Sequence, residues 1–344
     1  MIKKVFLLMV MLLLLVACGA KEVAPEVVYV ETEKEVVVET KLPYQDVQKG
    51  VAFHWVLDYA DHPVHRIMTS GFVKACQDYG LECEVHGVPG ANTEETIALR
   101  EQCLVLGSSG QLMQIGSEVN YISAAEFIEA GVPVVATHFP IDEGRIPGLL
   151  AWVAPDQEAY SIDAGNAMAE KLDCGSPIAI TQSSLGEAES FIGTTFRNTY
   201  LAACPDAEVL PMQVEGIGDP AQSILLASSI IQANPDLAGA FSTTGGGSTT
   251  WAKAAEENGR EPGEITIISM DYSRANLDLV KSGEVYMLVG QPLFEEYYMA
   301  TILLLQHNMG LPVPYENKLP APLITIDDVD KYYAINDLAE SLGD

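Results

Sequence analysis

Positive charge is what this chain is short of. It carries 18 Lys and Arg against 48 Asp and Glu, a formal net charge of −30. A surface this acidic repels phosphate backbones and anionic lipid headgroups, so nucleic acid is not expected as a partner. Cysteine is sparse too: the six cysteines contain no C-x-x-C pair, and the zinc spacings built on it are missing. There is no G-x-S-x-G nucleophile turn and no G-x-x-x-x-G-K-[ST] phosphate loop. The one long apolar run, Val5 to Val16, is too short to span a bilayer by itself. What is present is a globular composition, 48% hydrophobic and 19% charged, in 344 residues, enough for two domains of ordinary size.

The apolar run follows Lys3 and Lys4 and leads into Leu15-Val16-Ala17-Cys18-Gly19. This resembles a bacterial lipobox, with cleavage before Cys18 and lipidation of its thiol; the plainer reading is a secretory signal with a chance cysteine. Residues 1–18 are read as that signal. Residues 19–48 include EVAPEVVYVETEKEVVVETK, rich in Glu and without a turn signal, which suits a flexible tether. The alternating Val suits a strand, but no partner for it is evident. Fully extended, about 30 residues reach roughly 100 Å. The expected location is the outer face of the cytoplasmic membrane or the periplasm, with a lipid anchor holding the chain to the membrane. Disulfides are permitted there. Five cysteines remain after Cys18, so at least one is unpaired. Cys174 and Cys204 each close a helix in neighbouring βα units and form the best candidate pair.

From Val51 onward, strands and helices alternate. Val51 to Leu57, Leu81 to Val88, Gln111 to Ile115 and Gly131 to Ala136 read as strands. Between them lie amphipathic segments with start signals such as Pro63, and Asn92 with Glu95 three residues on. The alternation restarts after Ala151 to Ala154. Asp156 caps a helix with Ile162, Met168 and Leu172 on one side, and Pro177 to Gln182 is a strand. Asp219-Pro220 opens a helix carrying Ile224, Leu225 and Ile231. Ala238 to Ser242 is a strand that runs into Thr243-Thr244-Gly245-Gly246-Gly247-Ser248. The pattern predicts an α/β fold of two doubly wound parallel-sheet lobes joined by three crossovers. The crossovers fall near residues 154–157, Gln291 and residues 318–322. A last strand is expected at Leu323 to Ile326.

The stretch from Ile265 to Tyr298 organises the rest. Ile265 to Met270 is a buried-strand run ending on Asp271, and Ser273 caps a helix that Gly283 stops. Val285 to Val289 is the next strand, after which Gln291 and Pro292 turn the chain into another helix. Strand ends of open α/β sheets are where ligands bind. This layout resembles the type I periplasmic binding proteins, the sugar receptors of transport systems, over roughly residues 50–328. By that resemblance the helix from Pro292 returns to the first lobe, which takes 49–154 plus 292–318, leaving 155–291 plus 319–344 to the second. The resemblance implies that Asp271 and Gln291 hydrogen-bond the ligand.

Other candidates surround them. The first loop offers Asp58, His62 and His65; by resemblance His62 takes the place of an Asn, and Val64 and His65 the places of aromatic residues. His138 and Phe139 stand where the sugar receptors carry Asp-Arg, with Phe139 able to stack on a ring. Thr244 takes the place of an Asn, and Ile192 that of a pocket Arg. The Thr243-Thr244-Gly245-Gly246-Gly247-Ser248 run opens a helix whose exposed N–H groups suit an anion, so a phosphorylated or carboxylated ligand stays open. The bland alternatives are that Asp58 and His62 cap a helix, Phe139 joins the core and Asp271 only terminates a helix. His62 and His65 at i, i+3 lack a third metal ligand, so no metal and no cofactor is expected. Asp271 with Glu295 or Glu296 resembles a glycosidase pair. The leading expectation is a non-enzymatic, lipid-anchored receptor that carries a monosaccharide or similar small polar ligand to the permease subunits of an ABC importer. A receptor passing a nucleoside or signalling molecule to a membrane sensor is the second reading, an extracytoplasmic hydrolase the third.

Overall fold

The structure is a computed structural model that describes residues 27–32, 35–40, 52–58, 60, 62, 64–88, 90, 92–116, 118–183, 186–215 and 219–342. It divides into two units, residues 1–47 and 48–344. The signal-like segment with Cys18, and Tyr59, Asp61 and Pro63 of the first loop, lie outside the described residues. In the first unit β1 (Val27–Thr32) pairs antiparallel with β2 (Glu35–Thr40), Val27 opposite Thr40. The alternating valines thus do have a partner, which is the second half of the same stretch.

In the second unit, β3 (Ala52–Leu57), α1 (His65–Tyr79), β4 (Glu82–Gly87), α2 (Thr93–Leu106), β5 (Gly110–Gln114), α3 (Glu118–Glu129), β6 (Val134–Thr137) and β7 (Ala151–Pro155) follow in order. The chain then passes through α4 (Gln157–Lys171), β8 (Ile178–Gln182), α5 (Glu187–Ala203), β9 (Gln213–Val214), α6 (Pro220–Ala233), β10 (Gly239–Ser242), α7 (Gly247–Glu257), β11 (Thr266–Met270), α8 (Arg274–Ser282) and β12 (Met287–Val289). It closes with α9 (Leu293–Asn308), β13 (Glu316–Leu319), β14 (Leu323–Ile324) and α10 (Val329–Leu342). One six-stranded sheet has the order β13-β7-β6-β5-β3-β4, the other β14-β12-β11-β10-β8-β9. Every pairing in them is parallel except β12 with β14. The chain changes sheet after β7, after β12 and between β13 and β14, so the two lobes share three crossings.

Local chemistry explains the helix ends. Asn92, Asp156, Asp219 and Ser273 each accept a hydrogen bond from the amide three residues on, at 3.3, 3.2, 3.1 and 3.3 Å. Gly283 ends α8 with φ 83°. The strands β6, β7, β8 and β11 are buried throughout, as parallel strands covered on both faces must be. Gly71 lets α1 lie against α9 so closely that any Cβ there would strike the Phe294 carbonyl. Cys174 is bonded to Cys204 and Cys76 to Cys83, while Cys103 is free and buried.

The structure differs from the sequence reading in several places. Ile162 and Leu225, expected on buried helix faces, are 37% and 69% exposed; Met168 and Ile231 are buried as expected, joined by Ala164 and Ala167 on α4 and Ala227 on α6. β13 was not foreseen, because ENKL lacks an apolar run, yet it pairs with β7. The last strand stops at Ile324. Helix α10, also unforeseen, packs against both α1 and α8. Among the described residues no helix is long and apolar enough to cross a membrane.

Candidate functional site

Parallel strands bring their carboxyl ends to one edge, and the two sheets present those edges to each other. Two residues mark the edge. His138, just after β6, and Asp271, just after β11, are the non-glycine residues with left-handed backbone among those described, φ 73° and 68°. Such conformations persist only where the surroundings enforce them. Asp271 shows how. The amide Nδ2 of Asn276 donates to the carbonyls of Gly245, Met270 and Asp271 at 2.8, 3.1 and 3.1 Å, and Asp271 N donates to Val289 O at 2.9 Å. Gly245 fits so tightly that a Cβ on it would collide with Asp271 Oδ2 and sit 3.5 Å from His62 Cε1. Gly245 thus lies between His62 of the first lobe and the Asp271 carboxyl of the second.

The acids here are unusually dry. Asp271 is 4% exposed, and its Oδ1 has no hydrogen-bond partner. Burial raises its pKa to about 7, with His138 acting in the opposite direction. Glu296, on the first turn of α9, is fully buried; its Oε2 lies 3.2 Å from His138 Nδ1 and its Oε1 is unpartnered. Burial raises the Glu296 pKa and works to lower that of His138. Glu296, Asp271 and Glu189 overcome the latter effect, so the imidazole holds its proton more firmly than usual. The Tyr160 hydroxyl of α4 is buried beside the Gln291 side chain; burial first and Asp271 second raise its pKa, and its bond with Gln291 acts in the opposite direction. Burial and then the neighbouring His138 lower the His62 pKa.

The remaining expected residues divide. Gln291 is buried at the second crossing, with its carbonyl accepting Leu293 N at 2.7 Å as α9 begins. Asp58 is held by Arg100, which donates to Oδ1, and by Asn120 Nδ2, 3.0 Å from Oδ2. Phe139 stacks over Gly116 and forms a wall of a cavity of about 680 Å³ between the lobes, with Trp152, Gln157 and Phe191. Asp271, Gln291 and His138 do not line that cavity; it lies to one side of the buried polar cluster and opens to solvent, with Arg145 and Glu187 paired across it at 3.5 Å.

Two candidates sit away from the expected role. His65 lies one ring behind His62, centroids 5.2 Å apart, with its edge on Trp55 in the first-lobe core. The Thr244 hydroxyl is turned to Ser242 Oγ at 3.3 Å and Glu215 Oε2 at 3.5 Å, so it braces its own loop. At the α7 N-terminus the nearby ionisable groups are the buried carboxyls of Asp271 and Glu215, whose pKa values burial raises and which offer an anion no positive charge. That disfavours the phosphorylated or carboxylated ligand that the glycines suggested.

Sequence reasoning missed Arg100, Asn276, Glu189 and Tyr160, and weighed Glu296 only as half of a glycosidase pair. Arg100 had a signal: Thr96, Arg100 and Cys103 recur at helical spacing, and all three are buried on α2. Glu296 was masked by Glu295, since two acids in a first turn read as partners of the helix dipole.

Two lobes, three crossings and a dry polar cluster at facing sheet edges define a cleft-binding receptor fold. The chain belongs to the periplasmic binding protein domain family, which matches residues 52–310. It is similar in structure to an ABC transporter solute binding protein from Agrobacterium vitis bound with alpha-D-tagatopyranose. Identity there is 18% over 84% of this chain and 98% of that one, with a TM-score of 0.77. A sugar-binding protein of a sugar ABC transporter from Bacillus halodurans is 23% identical over 82% and 100%, TM-score 0.73. A glucose-galactose binding protein from Geobacillus stearothermophilus is 20% identical over 82% and 99%, TM-score 0.72. No curated protein matches in sequence.

Proposed function

We propose that the chain is an extracytoplasmic solute receptor of an ABC importer, tethered by lipid on Cys18, that binds a monosaccharide or close relative between its lobes. The observation that carries this reading is the pair of buried, unpartnered carboxyl oxygens, Asp271 Oδ1 and Glu296 Oε1. Buried polar atoms without partners are costly, and an uncharged ligand rich in hydroxyls satisfies donors and acceptors together. The acids make the site hostile to anions, which separates sugars and polyols from sugar acids and nucleotides. Phe139, on the flanking cavity, supplies an aromatic face for C–H surfaces. The tagatopyranose bound to the Agrobacterium vitis protein and the glucose and galactose of the Geobacillus stearothermophilus one support the same class.

The test is a thermal-shift screen of the full chain, purified in detergent, against sugars, polyols, sugar acids and nucleosides. A neutral sugar at 100 times its dissociation constant should add about 2.7 kcal/mol of stability. A response confined to anionic ligands removes the reading, and a ligand recovered chemically changed turns it to a hydrolase. Labelled fatty acid should enter the wild type and not Cys18→Ser.

A further inference from the structure

The face of the first sheet that α2 covers gathers a second set of chemically active side chains. His54 on β3 stands opposite Glu84 on β4, and His86 lies two residues on, so all three project from one face. Cys103, on α2, comes down on the same face. One ligand atom from each of His54, His86 and Cys103 lies within 4.8 Å of the others. His54 is 1% exposed and its Nδ1 has no hydrogen-bond partner. A buried imidazole nitrogen without a partner needs an explanation. Cys103 is the free cysteine among those described. Glu84 Oε2 lies 3.1 Å from His86 Nε2.

We propose that His54, His86 and Cys103 form a transition-metal site of zinc type, with Glu84 orienting His86 from behind. Two imidazoles and a thiolate are the donors that zinc and its neighbours take. The carboxylate on the far nitrogen of His86 is the arrangement that fixes a metal-ligating histidine. It leaves Nδ1 of His86 for the ion. Ligands of a tetrahedral zinc ion stand about 3.3–3.7 Å apart, so the three atoms draw in by about 1 Å. His86, half-buried on the edge strand β4, has the freedom to do this and opens a path from solvent. Binding sends the Cys103 thiol proton to solvent as the sulfur–metal bond forms. Without the ion, burial first and Glu84 second hold that thiol up at about 11, so it stays protonated at neutral pH; the cation reverses this. The fourth position is left for water. None of these residues belongs to the polar cluster between the lobes, and their separations of 32 and 17 positions match no short metal motif, which is why the spacing rules found no metal here.

Cobalt(II) titration of the full chain under argon, with both disulfides intact, tests the site. We expect one equivalent bound with a sulfur-to-cobalt charge-transfer band, and that zinc displaces it. Cys103→Ser abolishes the band, and His86→Ala, on the edge strand, weakens binding at least tenfold while the sugar-site ligand still binds. A wild-type protein without the band, or a band that survives both substitutions, overturns the proposal. Melting curves of both variants without metal separate loss of the site from loss of the fold.

Discussion

Asp271→Asn isolates the charge of the central carboxyl. Asn has the same shape and tolerates left-handed backbone, so φ 68° is kept and Asn276 retains its bonds. Burial raises the Asp271 pKa from 3.8 to about 7 in the folded protein. A group raised on folding contributes fully below its unfolded pKa and loses that contribution as pH climbs through the folded value. Asp271 therefore weakens the unliganded fold progressively from about pH 4 to about pH 7. At about 1.4 kcal/mol per pH unit the whole effect is about 4 kcal/mol, of which about 3 kcal/mol falls between pH 5 and pH 8. Urea unfolding of wild type and Asp271→Asn at pH 5 and pH 8, without ligand, measures it. The variant should gain about 3 kcal/mol on the wild type across that interval. An equal difference at both pH values refutes the burial argument. Binding moves the other way: a carboxylate accepting ligand hydroxyls makes bonds worth about 1.5–3 kcal/mol each. Wild-type affinity should rise as pH passes 7, and the variant should bind at least tenfold more weakly and lack that rise.

Asp58→Ala leaves the Arg100 guanidinium buried without its carboxylate, so it should lower stability by about 3–5 kcal/mol; an unchanged melting curve contradicts the pairing. Asn276→Ala releases three carbonyls around Asp271 and should cost about 2–3 kcal/mol while also weakening ligand, which melting beside calorimetric titration separates. Cys174→Ser should lower stability by about 3–4 kcal/mol by freeing the loop to Cys204, read from urea midpoints under oxidising conditions. Small-angle scattering should show a smaller radius of gyration with saturating ligand if the lobes close on it; equal radii count against closure.

Local signals carried the fold. Caps at Asn92, Asp156, Asp219 and Ser273 and the stop at Gly283 were legible because a cap joins residues three or four apart, a distance set by helix geometry alone. Buried parallel strands were legible as short β-branched runs, and Asp271 as the residue that ends one of them. β13 and α10 were not, because ENKL gains its place from β7 and the last helix from the faces of α1 and α8, and neither surface is written in the segment itself. The site's chemistry lay further out of reach. Glu296 meets His138 across 158 residues, and Asp58 meets Arg100 and Asn120 across 42 and 62. Sheet order and crossings decide those meetings. The same holds for the depth of burial that raises the Asp271 pKa to about 7 and for the grouping of His54, His86 and Cys103. Sequence settles what each segment can become on its own, because its forces act within a turn or a strand. Which segments face each other, and how dry the space between them is, depends on packing that only the whole chain completes.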